Sequence, residues 1–405
     1  MIIKAFPAFK YHNYRLYFFG QIISMTGTWM QQVALAWLVW TLTHSAFFVG
    51  LSATMQNLPV LLFSLLGGAF VDRLNKKNIL IATQASSMVI AFVLGLLTLF
   101  RIIEVWHILS LAFVLGTIDA LDKPARQAFV VDIVDKQHLS SAIALNSGIF
   151  NTARLIGPSI AGLLIAFVDI SGAFLVNTAS YIPVIAVMFL IRITPSKLRK
   201  HSHPFRAVQQ GLQYAFTHKT MRILLIFATV SSIFGWSYAT MIPVVVAKVF
   251  NKGALDLGYF YAAGSIGGIL AIAAISAFSK LISKKIFIVG GSIMFALSII
   301  LFSFSNTIPL AIFFLFFSGF GIISQYVTMN STIQHIVPDD MRGRIMSLYV
   351  LMFIGMMPIG SFQVGLVAEH LGPLFAIRLG AIFVLIYSVY FFFKTRKSSF
   401  SKTIS

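Results

Sequence analysis

Gly67-Gly68-Ala69-Phe70-Val71-Asp72-Arg73-Leu74-Asn75-Lys76-Lys77 is a short basic turn between two long apolar runs, 47–71 and 78–100. A helix that crosses a bilayer needs about 20 mostly apolar residues. Each run is long enough, and the charged turn marks where the chain leaves the lipid and re-enters it. Gly67 and Gly68 would let a neighbouring helix approach closely. Asp72 would sit near a helix N-terminus, where negative charge is stabilised. Arg73 would be in reach of Asp119 or Asp122 at the end of a later run. A plain basic turn that only sets topology is the simpler alternative.

The same pattern continues in both directions. Apolar runs fall at 16–40, 47–71, 78–100, 106–124, 141–167, 171–192, 221–247, 256–279, 285–304, 308–330, 344–368 and 372–393. The fifth and eleventh are the most polar. The breaks at Leu42–Ser45, Ile170–Gly172 and Glu369–Gly372 are short enough for tight hairpins. Charged residues are only 10% of the 405 and mean hydropathy is +0.90, whereas a soluble domain keeps roughly a quarter of its residues charged. Lipid must therefore cover much of the surface. The expected fold is an all-α polytopic membrane protein of twelve transmembrane helices in two six-helix pseudo-symmetric halves.

Basic residues set the expected orientation. With the N-terminus inside, 25 of the 30 Lys and Arg fall on cytoplasmic segments, and only Arg101, Lys248 and Lys252 fall outside. This bias places both termini in the cytoplasm. It also accounts for a net charge of +19 without a nucleic-acid partner. The basic N-terminal stretch runs into a full-length apolar segment with no cleavage site, so it reads as a retained first span. The longest polar stretch, 193–220, carries Pro195, Pro204 and three His. It would link a bundle at 1–192 to a second at 221–405.

The halves resemble each other. Ile133-Val134 through Leu145 aligns with Ile336-Val337 through Leu348, and the same offset places Gly157 on Gly360 and Gly162 on Gly365. Trp29 matches Trp236, and Asn75-Lys76-Lys77 matches Ser283-Lys284-Lys285. Parallel repeats of this kind put a substrate site near the bilayer midplane, between the halves.

The string 67–77 resembles the signature loop of the major facilitator superfamily, Gly-x-x-x-Asp-Arg followed by basic residues. The resemblance implies that Gly68, Asp72, Arg73 and Lys77 latch the halves in the outward-open state. The second half carries Lys280 where the counterpart of Asp72 would stand, which would make the latch asymmetric. Ala153-Arg154-Leu155-Ile156-Gly157-Pro158-Ser159-Ile160-Ala161-Gly162 resembles the antiporter signature of drug-exporting members, with Ala153 and Ala161 in place of glycines. Asn13-Tyr14-Arg15-Leu16, Gly27-Thr28-Trp29 and Arg342-Gly343-Arg344, with 124–154, resemble the enterobactin-exporter-like branch, also called transmembrane secretion effectors. The resemblance covers essentially the whole chain. It implies a secondary transporter in a bacterial inner membrane, with export of an amphipathic small molecule, such as a siderophore or drug, coupled to protons.

Arg154 lies about 20 Å from the near end of its run at 1.5 Å per residue. A cation at that depth costs several kcal/mol unless paired or wet. It reads either as an anion- or proton-linked site or as a structural pair with a neighbouring helix. Asp119, about 10 Å nearer the cytoplasmic end, belongs with Asp122 to the latch more readily than to a proton relay. Arg378 is expected to snorkel outward. Gln31, Gln32, Asn57, Asn151, Trp236 and Tyr238, with Met352 and Met356 (and Met357) as an adaptable wall, mark either a cavity or helix packing. Gly157, Pro158 and Gly162 are expected to bend the fifth span and gate it.

No cysteine, His-Glu-x-x-His, Gly-x-Ser-x-Gly or phosphate-binding Gly-x-x-x-x-Gly-Lys-Ser/Thr is present, which argues against a membrane enzyme or a nucleotide-driven pump. No cofactor or metal is called for. A receptor would be expected to carry a sizeable soluble domain. Uptake and lipid movement stay open as alternatives within transport, and the chain is expected to work as a monomer.

Overall fold

The computed structural model describes residues 6–71, 74–191, 204–279 and 281–396. Twelve helical crossings follow in order. They are α1 His12–Thr43, α2 Ala46–Val71, α3 Lys76–Leu99 and α4 Val105–Ile133, then α5 and α6 within the continuous stretch Leu139–Leu190. The second set is α7 Lys219–Val249, α8 Ala254–Phe278, α9 Ile286–Phe302, α10 Ile308–Ile336, α11 in the two pieces Asp339–Phe353 and Met357–Leu371, and α12 Pro373–Arg396.

Nine helical stretches among the described residues are long and apolar enough to span a bilayer. One of them, 55 residues long, would extend about 80 Å if straight, far beyond a hydrocarbon core of about 30 Å. It turns at Asp169, whose φ of 63° is the single departure from helical backbone in Leu139–Leu190. That makes two crossings of one stretch. The shorter apolar α9 and the long, Gln-bearing α1 complete twelve.

The two ends of the bundle differ in chemistry. At one end the connections are short, and His44, Arg101, Asp169, Asn251 and Gly372 all take positive φ. A left-handed residue stops a helix and reverses the chain within a few residues. The expected break at Ile170–Gly172 is corrected by one to three residues: the pivot is Asp169, an Asp tolerating positive φ better than most residues, while Gly172 lies inside helix. The other end carries Lys10, Lys76, Lys136, Lys219 and Lys394 and is called the basic end below.

Two expectations are corrected there. The stretch 193–220 is not all loop: Pro204–Thr217 forms a helix that packs on the first piece of α11 and touches α2. The fourth span does not stop at 124. Pro124 lies inside a helix that runs to Ile133, so Asp119, Asp122, Lys123 and Arg126 all sit on one helix.

Prolines decide where helices change. Pro358 has no N–H to donate and its ring crowds the carbonyl four residues back. The second piece of α11 accordingly begins at Met357, with Pro358 in its first turn. Pro243 likewise leaves the Ala239 carbonyl free inside α7, and the Tyr261 hydroxyl of α8 fills it at 3.0 Å. Pro158 does not interrupt α5, where the backbone stays helical on both sides.

Candidate functional site

The halves meet along two lines related by the repeat. Gly50 of α2 lies against Gly365 of α11, where a Cβ on Gly50 would come 2.7 Å from the Gly365 Cα and 2.5 Å from the Ser361 carbonyl oxygen. Gly162 of α5 lies on Gly258 of α8, where a Cβ on Gly162 would also meet the Ala254 carbonyl at 2.7 Å. Gly162 and Gly365 share the offset of 203, and Gly50 and Gly258 share the offset of 208 that aligns Asn75 with Ser283. Close backbone approach needs a residue without a side chain, and both lines supply one on each partner.

Further bonds close the short-loop end. The Ser45 hydroxyl and the Phe47 N–H each donate to the Glu369 carboxylate at 3.0 Å. The Thr54 hydroxyl donates to the Pro358 carbonyl at 3.2 Å. Toward the basic end, a Cβ built on Gly68, Gly148 or Gly343 meets nothing within 4 Å. Among the described residues, the glycine contacts and hydrogen bonds given above between the halves lie from mid-depth to the short-loop end.

At mid-depth, Arg154 of α5 reaches across to the second half. It is 8% exposed. Its guanidinium lies 4.5 Å from the Trp236 ring centroid, 4.9 Å from that of Tyr326 in α10 and 5.7 Å from that of Phe150. Its Nη2 donates to the Asn151 Oδ1 at 3.3 Å, while Nε has no partner. Among the described residues no carboxylate pairs with it. Ring faces attract a desolvated cation by up to about 2 kcal/mol each, which offsets much of the cost of burying it. They do not fill the planar fork of N–H donors that suits a carboxylate or phosphate.

The rings are positioned by irregular helix. Trp236 ends a π-helical turn, Ser231–Trp236, a feature that recurs at functional sites, and it packs edge-on against Tyr326 and Phe353. Behind Arg154, Gly157 allows α1 to pack closely, since a Cβ there would meet the Trp29 Cβ at 2.7 Å. The Ser265 hydroxyl of α8 donates to the Leu155 carbonyl.

The structure thus brings Arg154, Asn151 and Trp236 together. Tyr238, one turn from this cluster, packs on Phe295. Met352 accepts from the Thr229 hydroxyl at 3.4 Å, and Met356 lies in the break of α11. Asn57 donates back to Ala53 of its own helix at 2.9 Å, and Gln32 is half-buried. Gln31 is drawn elsewhere: it accepts from Asn177 of α6 and is fully enclosed in the first half. It belongs to a polar seam of α1. There Ser24 bonds Gln84 at 2.9 Å and Thr28 meets the Tyr181 hydroxyl at 3.3 Å.

That seam leads to Asp122. Its carboxylate accepts from Thr83 at 2.7 Å and Gln84 at 2.8 Å and pairs with Arg126. Asp122 is the one buried carboxylate among the described residues. Asp119 pairs with Lys123 on the same helix at 3.0 Å and is more exposed. Lys77 donates to the Ile191 carbonyl at 2.8 Å, capping the C-terminus of α6. A Cβ on Gly68 would meet nothing within 4 Å; the close approach is made by Gly67, whose Cβ would meet the Ala120 carbonyl at 2.5 Å. Asp72, Arg73 and Lys280 lie outside the described residues. Arg378 does not simply snorkel: it donates to the Ser303 hydroxyl and carbonyl at the end of α9 and stacks on Phe304.

Tyr326 was not anticipated from sequence. A tyrosine in mid-span is a weak signal by itself, and its meaning comes from the cation that another half places beside it.

The family model of transmembrane secretion effectors matches residues 3–403, and the chain belongs to that family. It is 27% identical over 386 residues to a staphyloferrin A transporter of Staphylococcus aureus, covering 95% of this chain and 96% of the relative. It is 22% identical to a macrolide efflux protein of Streptococcus pyogenes (90% and 92% covered) and 21% identical to an enterobactin exporter of Shigella flexneri (96% and 92%). Among solved structures, a bacterial homologue of the lysosomal transporter Spinster, inward-facing and occupied, superposes with a TM-score of 0.75 at 14% identity, covering 97% of this chain and 98% of that one. The fold is that of major facilitator transporters, and the chain is a multi-pass membrane transporter, not an enzyme.

Proposed function

We propose that this transmembrane secretion effector exports an amphipathic small molecule with an anionic group, such as a siderophore, in exchange for protons. The carrying observation is Arg154, a buried cation shared between the halves with ring faces around it, no carboxylate partner among the described residues and its Nε without a partner. A cargo anion would complete the pairing that the protein leaves unmade. Relatives that move siderophores and macrolides support export of large organic molecules.

The basic end is read as cytoplasmic, by the same excess of Lys and Arg. The membrane is then a bacterial inner membrane, the bundles 1–192 and 221–405 are the moving units, and the conformation is closed to the outside. Alternating access would rock the halves about Arg154 while the two glycine lines separate. Asp122, held near the cytoplasmic half of the first bundle, is the candidate proton carrier.

Reconstituted protein in proteoliposomes with an imposed pH gradient tests this. Matched amphiphiles bearing a carboxylate, no charge or an amine would be offered. Gradient-driven transport of the carboxylate form, lost at least tenfold in Arg154→Ala and in Arg154→Lys, is expected. Transport indifferent to the gradient would sink the antiport claim, and equal handling of the three amphiphiles would sink the anion claim.

A further inference from the structure

Away from the central site, α7 and α12 enclose a groove of about 550 Å³ on the outer face of the second half. On α7, Lys219, Arg222, Ile226 and Val230 follow one another at three- and four-residue steps along one face. On α12, Phe383, Ile386, Tyr390 and Lys394 do the same. The two stripes run side by side, so the groove is graded along its length. Three cations stand at its mouth, at the basic end; Tyr390 comes next, and aliphatic and Phe side chains line the depth.

The apolar part is bare. Ile226, Phe383, Ile386 and Tyr390 are between 43% and 60% exposed, as lipid-facing residues should be. From Lys219 to Phe234, the last α7 residue lining it, the groove extends about 22 Å, enough to pass from the headgroup region through one leaflet of hydrocarbon, about 15 Å deep. Tyr390 lies at the depth where aromatic rings favour the membrane interface. The Lys394 ammonium stands 5.3 Å from its centroid.

The cations distinguish this face from ordinary lipid contact. At the same end Lys76, Lys123 and Arg126 each pair with an aspartate. Lys219, Arg222 and Lys394 have no carboxylate partner among the described residues, and no acidic residue lines the groove. Basic pockets between helices at this level suit phospholipid phosphate.

We propose that this groove is a binding site for one anionic phospholipid, its phosphate held by Lys219, Arg222 and Lys394 and its acyl chain laid between α7 and α12. The site is independent of the transported cargo and of the direction of transport.

Native mass spectrometry of the full-length protein with equimolar phosphatidylglycerol and phosphatidylcholine of identical chains reads the preference. At least fivefold enrichment of phosphatidylglycerol is expected, falling below twofold in Lys219→Gln/Arg222→Gln/Lys394→Gln. Lys10→Gln/Lys136→Gln/Lys284→Gln, which removes the same charge from the same end outside the groove, should leave it intact. Equal loss in both triple variants, or no loss in the first, would overturn the site. Phosphatidylglycerol with a photoreactive chain gives a second readout on the unaltered protein. Labelling confined to 222–234 and 383–394 supports the proposal, and labelling spread over all lipid-facing helices overturns it.

Discussion

Arg154 and Asp122 are both buried ions, and the difference between them carries the functional argument. Asp122 has its own cation and two neutral donors, so its charge is compensated within the first half. Removing a partner from such a pair strands the other charge and costs about 3–5 kcal/mol. Asp122→Ala should therefore lower the thermal unfolding temperature in detergent, while Asp122→Asn, which keeps the size and part of the bonding, should lower it less. If Asp122 carries the coupled proton, Asp122→Asn should still bind cargo but lose its response to a pH gradient. Arg154 has rings instead of a counter-ion, and its depth was legible from residue counting alone. Its partners were not, because Trp236 and Tyr326 lie 82 and 172 residues further on and no local pattern links them to α5. Gln31 shows the converse: a glutamine in mid-span looks like a cavity residue until Asn177 of a neighbouring helix accounts for it.

At the level of helices, glycines of α2, α5, α8 and α11 form paired surfaces of close contact. Gly162 and Gly365 stood out in the sequence through the repeat offset. Gly50 and Gly258, their partners across the interface, did not, since a glycine in an apolar run carries no sign of what it faces. Adding bulk to a close-packed contact costs about 1–3 kcal/mol, and about 1.4 kcal/mol is tenfold in an equilibrium. Gly162→Val or Gly365→Val should thus shift the population away from the state closed at the short-loop end. Labelling of a cysteine at Asn57 by an impermeant thiol reagent would report it, with faster labelling from the short-loop side expected. Unchanged labelling would show that the glycine contacts do not hold that gate. The break of α11 falls at Pro358, whereas Pro158 in the equivalent span leaves the helix whole. One proline rule thus gives two outcomes, because Pro358 comes directly after an irregular turn, Ile354–Met356, with i→i+5 and i→i+3 bonds, and Pro158 does not.

The whole molecule is a pair of bundles, and among the described residues their glycine contacts and the Ser45–Glu369 bond lie toward the short-loop end. Because the chain has no cysteine, a Ser45→Cys/Glu369→Cys pair can be cross-linked without background. A short bifunctional thiol reagent is expected to stop transport and a reductant-cleavable version to restore it; full activity while cross-linked would contradict a gate at that end. What the amino-acid order determined by itself was the solvent of the fold and its period: twelve apolar stretches, the basic end and the duplicated unit, all set by the cost of leaving charges and free backbone groups in hydrocarbon. That constraint acts locally along the chain, so reading residues in order is enough to recover it. The turn at 67–77 marked one crossing-point of this pattern. What only the tertiary structure decided was which polar residues are spent on holding a bundle together and which are left open. It also decided which end of the molecule is shut, and that Arg154 is enclosed by the opposite half. Those are outcomes of contacts between distant segments, where a hydrogen bond or a ring face satisfies a group that sequence shows only as polar.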